Sequence, residues 1–236
     1  MITIRMFLII SLSFITFSSD ALKNFVLIAA PGTGKGTFSQ YLVQKFGYVQ
    51  VCPGDIFRAE IEAQTELGKK IQPIVEQGAY VDEEITCQLI ADNISRICAD
   101  NKPFIIDGFP RSTISFDFLR NYFRNNNLVN TVCFLQFTAN DNTCINRIIT
   151  RLVCNQCHKV YNTHLVKPII GNTCDDCKIT LTFRKADTKD IAQQRIAYFH
   201  QHVESLMSKA AELYETKIIT TERSIQELHK NYDDLI

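Results

Sequence analysis

The chain has 236 residues, with 25 Lys and Arg against 25 Asp and Glu, and 46% of its residues are hydrophobic. Balanced charge leaves no basic footprint for nucleic acid, and the composition is that of a folded globular protein rather than a disordered or fibrous one. The length suits one or two domains around a sizeable core.

The chain opens with a short apolar stretch, residues 6–17, behind the single Arg5, ending in Ser18-Ser19-Asp20-Ala21. It has the pattern of a signal-peptide core and is too short for a comfortable membrane span. Residues 1–22 are therefore an expected extension outside the fold. Further on, short apolar runs predict strands at 24–29, 48–52, 103–107, 131–137 and 217–220. Amphipathic patterns predict helices at 35–46, 55–64, 67–77, 82–98, 112–125, 141–150 and 189–215. Asp82 or Glu83 is placed to cap its helix electrostatically. Strands that are apolar on both faces, alternating with helices, predict an α/β fold: a parallel five-stranded sheet flanked by helices.

Leu27-Ile-Ala-Ala-Pro-Gly-Thr-Gly-Lys-Gly-Thr37 lies between the first strand and the first helix. A glycine turn there lets backbone N–H groups converge on an anion, and Lys35 adds a full charge. Gly32, Thr33, Gly34, Lys35, Gly36 and Thr37 are thus candidate ligands of a nucleoside triphosphate.

Residues 152–182 break the α/β alternation. Cys154-Asn-Gln-Cys157 and Cys174-Asp-Asp-Cys177 form two C-x2-C pairs separated by sixteen residues. That spacing suits tetrahedral binding of Zn2+ by four thiolates, with no position left for water, so the expected role is structural. Chance pairing, two disulfides, or a zinc ribbon contacting nucleic acid or protein are the other readings. Cys52, Cys87, Cys98, Cys133 and Cys144 read as core or near-core thiols.

The Lys35-Gly36-Thr37 ending, the cysteine spacing and several motifs between them resemble the long-form adenylate kinases, over about residues 23–228. The resemblance implies a P-loop NTPase-like core (23–52, 82–150 and 184–236), a helical monophosphate-binding insert (53–81) and a zinc-bearing lid (151–183). Cys52-Pro-Gly-Asp-Ile-Phe-Arg58 is similar to the family's opening of the acceptor subdomain. It implies acceptor-site roles for Pro53 and Arg58, whose planar fork suits phosphate oxygens. Gly78-Ala-Tyr-Val81 resembles the segment against the acceptor base, implying Ala79, Tyr80 and Val81. Phe104-Ile-Ile-Asp-Gly-Phe-Pro-Arg-Ser112 is the second strong signature. Asp107 would hold Mg2+-bound water, and Gly108, Phe109, Pro110 and Arg111 would meet the acceptor.

By the same resemblance Arg147 lies over the donor adenine, Arg151 reaches the donor phosphates, and Val160 and Tyr161 contact the donor nucleotide. Arg184 and Arg195 return from the lid, and Arg223 offers a backbone contact to the donor base. Lys35, Arg111, Arg151, Arg184 and Arg195 are the implied catalytic cations. The implied reaction is Mg2+-dependent transfer from ATP to AMP by a monomer. The need for ATP and for reduced zinc cysteines points to the cytoplasm, balanced charge to no nucleic-acid partner, and no membrane partner is expected; export or anchoring through residues 1–21 is the alternative location.

Several positions depart from the family pattern. Ala29 replaces the first loop Gly, Pro53 a Thr, Leu152 an Arg and Ala186 an acid. Thr150 and Thr221 stand where Gly is usual. Ser115 occupies the place of the Gln that reads the acceptor base. The alternatives are a silent nucleotide- or zinc-binding module, a kinase with another acceptor, and a phosphate-loop ATPase coupled to a partner.

Overall fold

The computed structural model describes residues 22–157, 159–223 and 225–236. The expected extension, but for its last residue, lies outside them. Strands β1 (Asn24–Ala29), β2 (Val49–Val51), β3 (Phe104–Asp107), β4 (Val132–Thr138) and β7 (Glu215–Thr220) form one parallel sheet in the order β2-β3-β1-β4-β7. Central β1 is buried because helices cover both faces, which is why its sequence Asn-Phe-Val-Leu-Ile-Ala does not alternate.

On one face pack α4 (Glu83–Ala99), α5 (Thr113–Asn125), α7 (Lys189–Tyr198) and α8 (Leu206–Ala211), through Ile90, Ile94, Phe116, Phe123, Ile196 and Leu206. On the other pack α1 (Lys35–Phe46) and α9 (Ile225–Asp233), where Phe38 meets Tyr232 edge-on with 4.8 Å between ring centres. Helices α2 (Pro53–Glu62) and α3 (Glu66–Glu76) follow β2, and α6 (Asp141–Ile149) follows β4. The antiparallel pair β5 (Arg151–Val153) and β6 (Val160–Asn162) opens the cysteine-rich segment.

The single helix expected over 189–215 is broken. α7 runs into a π-helical turn, Phe199–Val203, before α8, and β7 begins at Glu215. Phe199 and Val203, at the two ends of that turn, are both buried in the core. α9 has no counterpart among the expected helices, although Leu228 and Tyr232 have the i, i+4 spacing of a buried stripe. Asp82 caps α4, its carboxylate accepting the N–H groups of Glu84 and Ile85 at 2.9 and 3.2 Å. α5 starts with a Ser112–Ser115 capping box.

Candidate active site

The phosphate loop leaves β1 and turns through Gly32 (φ 86°) and Gly34 (φ 96°). A Cβ on Gly32 would stand 2.4 Å from the Cys144 carbonyl oxygen, so the loop can lie against α6 only as glycine. Ala29 simply ends the strand outside the left-handed region, so the missing first Gly costs no conformational freedom. Gly34 is the N-cap of α1, with no side-chain cap and no acid in the first turn, leaving the positive helix end to an anion. Thr33 is turned inward, its hydroxyl donating to Ala30 O at 2.9 Å.

Lys35 from α1, Arg58 from α2, Arg111 after β3, Arg151 from β5, Arg184 from the segment after the cysteines and Arg195 from α7 all line one cavity of about 570 Å3. Two of these cations have carboxylate partners. Arg151 makes a bidentate pair with buried Asp187, at 2.7 and 2.6 Å, and Arg58 bonds Asp55. Lys35, Arg111, Arg184 and Arg195 form no ion pair among the described residues. Burial, then the charges of Arg151 and Arg58, pushes Arg184 down to about 10, and its Nε is buried without a partner among the described residues. Burial and then Arg111 lower Arg195 in the same way. Lys35 is lowered chiefly by burial, against the pull of Asp107. A nest dominated by positive charge is complementary to a polyanion such as a chain of phosphates.

Asp107 ends β3 in the same cavity. Its Oδ2 accepts from Gln50 Nε2 at 3.0 Å, while its Oδ1 is buried with no partner among the described residues, and burial raises its pKa against the pull of Lys35. An orphaned carboxylate oxygen beside a phosphate loop fits a hard cation held through water.

A second cavity, of about 460 Å3, opens from the other side of the loop. Gly32, Gly34, Lys35, Gly36, Thr37, Arg147, Arg151, Val160, Tyr161 and Arg223 line it. So do Asn162, Leu165, Val166, Thr221, Gln226, Leu228 and Tyr232, none of which was among the sequence candidates. Arg147 is fixed there, donating to Thr221 O at 2.9 Å and Thr221 Oγ1 at 3.2 Å. Thr221 Oγ1 donates in turn to Thr33 O at 2.6 Å, so the Thr in place of Gly braces the loop. Thr150 has a similar use: its hydroxyl accepts from Asn162 Nδ2 at 2.7 Å, tying β6 to the end of α6.

A third cavity, of about 130 Å3, lies beyond Arg111 and is lined by Pro53, Tyr80, Val81, Gly108, Phe109 and Ser115, with Phe57, Glu83, Thr86 and Tyr198 added. Pro53 opens α2, where its missing N–H costs nothing. Arg111 is set by a bond from its Nε to Gly108 O at 2.6 Å and lies 4.5 Å above the Tyr80 ring. Pro110 borders a smaller void between Lys35, Tyr80 and Arg195. Ala79 is exposed and lines none of these cavities.

The Sγ atoms of Cys154, Cys157, Cys174 and Cys177 all lie within 4.8 Å of one another, and those of Cys157 and Cys174 are 3.6 Å apart. Metal–sulfur bonds of about 2.3 Å in a tetrahedron place sulfurs about 3.8 Å apart, so the cluster can hold one metal ion. Leu152 packs beneath it with Tyr161 and Leu181, which gives the leucine in place of an arginine an apolar task. Cys157, Lys159 and Asp176 reach the 570 Å3 cavity, so this small unit also roofs the cationic nest.

A family model described as adenylate kinase matches residues 27–218. An adenylate kinase of Mycoplasma genitalium is 35% identical over 184 residues, covering 78% of this chain and 83% of that protein. One of Borrelia recurrentis is 31% identical over 212 residues, covering 89% and 95%. One of Photorhabdus laumondii is 32% identical over 216 residues, covering 89% and 98%. With a loop for phosphates, a cationic nest and a cavity on either side, these matches are of one kind: the chain belongs to the adenylate kinase family.

Proposed function

We propose that the 460 Å3 cavity takes ATP and the 130 Å3 cavity takes AMP, and that the phosphoryl group crosses between them in the cationic nest, ATP + AMP ⇌ 2 ADP. The observation that carries this reading is the convergence of Lys35, Arg58, Arg111, Arg151, Arg184 and Arg195, from six separate parts of the chain, on one cavity. The AMP phosphate oxygen attacks the γ-phosphorus in line, and no protein nucleophile is required. Lys35 and the loop N–H groups hold the β- and γ-phosphates. Arg58 and Arg111 hold the acceptor phosphate. Arg151, Arg184 and Arg195 stabilise charge on the equatorial oxygens. Mg2+ bound with ATP would neutralise phosphate charge, with Asp107 holding its water.

Arg147, Val160, Tyr161 and Arg223 enclose the donor base, and Tyr80 and Val81 flank the acceptor base. In this reading residues 53–81 are the acceptor-binding part and 151–183 the lid, and their closure excludes water that would otherwise hydrolyse ATP. The four-cysteine cluster takes Zn2+, which staples a unit too small for a core of its own. Free thiols and dependence on ATP support a cytoplasmic setting. No described helix is long and apolar enough to cross a membrane.

The test is ADP production from ATP with AMP, GMP, CMP or UMP. Turnover with AMP is expected, and Lys35→Met should lower it by about a hundredfold or more. Absence of turnover with every acceptor, in metal-loaded folded protein, refutes the proposal.

A further inference from the structure

After α3 the chain turns at Gly78 (φ 72°), where a Cβ would stand 2.6 Å from Ile191 Cγ2, so this turn passes close against α7. Two residues on, Tyr80 lines both the 130 Å3 cavity and the small void beside Lys35. Its ring meets two groups there. The Arg111 guanidinium carbon lies 4.5 Å from the ring centre. The ring of Tyr198, the last residue of α7, is 4.5 Å away at a tilt of 51°.

One hydrogen bond holds the Arg111 side chain. Its Nε donates to Gly108 O at 2.6 Å, and its two terminal nitrogens bond none of the described residues. No carboxylate pairs with it among the described residues. Arg195, on α7 one turn before Tyr198, is close enough that the charge of Arg111 lowers its pKa, second only to burial. Two like-charged forks at this separation repel each other. The face of an aromatic ring is electron-rich, and a guanidinium within about 6 Å of its centre is attracted to it. A guanidinium stacked in this way keeps its in-plane N–H fork for an anion.

We propose that Tyr80 is a positioning residue for the acceptor phosphate: its ring holds the Arg111 guanidinium by a cation–π contact and leaves the terminal N–H groups of that arginine free to meet the phosphate. The inference rests on the reading of the 130 Å3 cavity as the AMP site and adds a role at its phosphate end. Tyr80 comes from the segment between α3 and α4, and Arg111 from the turn after β3. The contact therefore also joins these two parts of the site at the atom group that grips the phosphate.

The test measures kcat/KM for AMP at saturating ATP, and the KM of ATP, in two sets of variants. Tyr80→Leu keeps an apolar side chain and removes the π face. It should lower kcat/KM for AMP by about tenfold and leave the KM of ATP unchanged. The second set takes Tyr80→Phe as its reference and places mono-, di- and trifluorinated phenylalanine at the same position. Fluorine withdraws electron density from the ring face with little change of shape, so packing is preserved while the attraction for a cation fades. kcat/KM for AMP should fall step by step with each fluorine, to about a tenth of the reference at three. A flat fluorine series overturns the assignment, because a ring that merely fills space does not respond to its charge distribution. So does a Tyr80→Leu protein in which the KM of ATP rises as much as that of AMP. Either result leaves the kinase reading intact if the unaltered protein phosphorylates AMP. Failure of the unaltered protein to phosphorylate AMP overturns both.

Discussion

Asp187→Asn isolates what the buried ion pair of the cationic nest contributes. Asp187 has only 1% of its side chain exposed and Arg151 19%, and they meet through two short bonds of 2.7 and 2.6 Å. Removing one partner of a buried pair costs about 3–5 kcal/mol, because the other charge is left uncompensated. Arg151 also faces the open cavity, so water recovers part of the loss and the lower figure applies, about 3 kcal/mol. For a chain of this size that corresponds to a fall in Tm of about 6–12 °C. Arg151→Met strands the carboxylate instead and should cost at least as much. The double variant removes both charges and should be closer to the original than either single one, with a coupling of about 2 kcal/mol or more. Thermal unfolding of the four proteins without nucleotide measures this cycle. Repeating it with ADP should narrow the gap for Asp187→Asn, because phosphate replaces the missing carboxylate. Additive single effects, or a Tm loss under about 2 °C for Asp187→Asn, would refute the view that this pair holds the nest together.

Gly32→Ala should abolish ATP binding, measured by calorimetry, since the Cβ would meet the Cys144 backbone at 2.4 Å and the residue would keep a φ of 86°. Titrating metal out of the four-cysteine cluster with a chelator should release one ion per chain and lower Tm, and Cys154→Ser should reproduce the loss; metal-free protein of unchanged Tm would remove the cluster's structural role. His200 bonds Glu204 at 2.9 Å and Asp141 at 3.1 Å, and these carboxylates, Glu204 first, raise its pKa above the ordinary 6.5. A raised folded-state pKa gives stability that is complete below the unfolded value and is lost as pH rises through the folded one. The Tm deficit of His200→Gln should therefore be largest below pH 6.5 and shrink toward alkaline pH; a deficit that grows with pH contradicts the assignment.

The parts of the site that could be read in the sequence are those in which neighbouring residues do the chemistry together. Gly32, Gly34 and Lys35 act within one turn, and each C-x2-C pair sets two sulfurs through one tight loop. The signature around Asp107 and Arg111 is equally local. Sequence patterning also anticipated the five strands, because burial on both faces demands unbroken apolar runs. It misjudged 189–215, where a helical pattern continues through residues that fold as a π turn, a short helix and the start of a strand.

Where the polar groups of distant segments meet was decided only on folding. Ser115 stands where the family's base-reading Gln would be, and its hydroxyl is spent on backbone N–H groups of its own helix cap. Glu83 is the helix-start charge its position suggests, and it also lines the 130 Å3 cavity beside Arg111. Leu165, Val166, Gln226, Leu228 and Tyr232 come from the cysteine-rich segment and the last helix to line the 460 Å3 cavity. The sequence by itself determined the phosphate loop, the sulfur pairs and the α/β class, since these follow from short-range spacing and hydrophobic period. Only the tertiary structure decided which cations are paired, which hydroxyls are used up and what lines each cavity, because hydrogen-bond partners across a long chain depend on packing that no local pattern encodes.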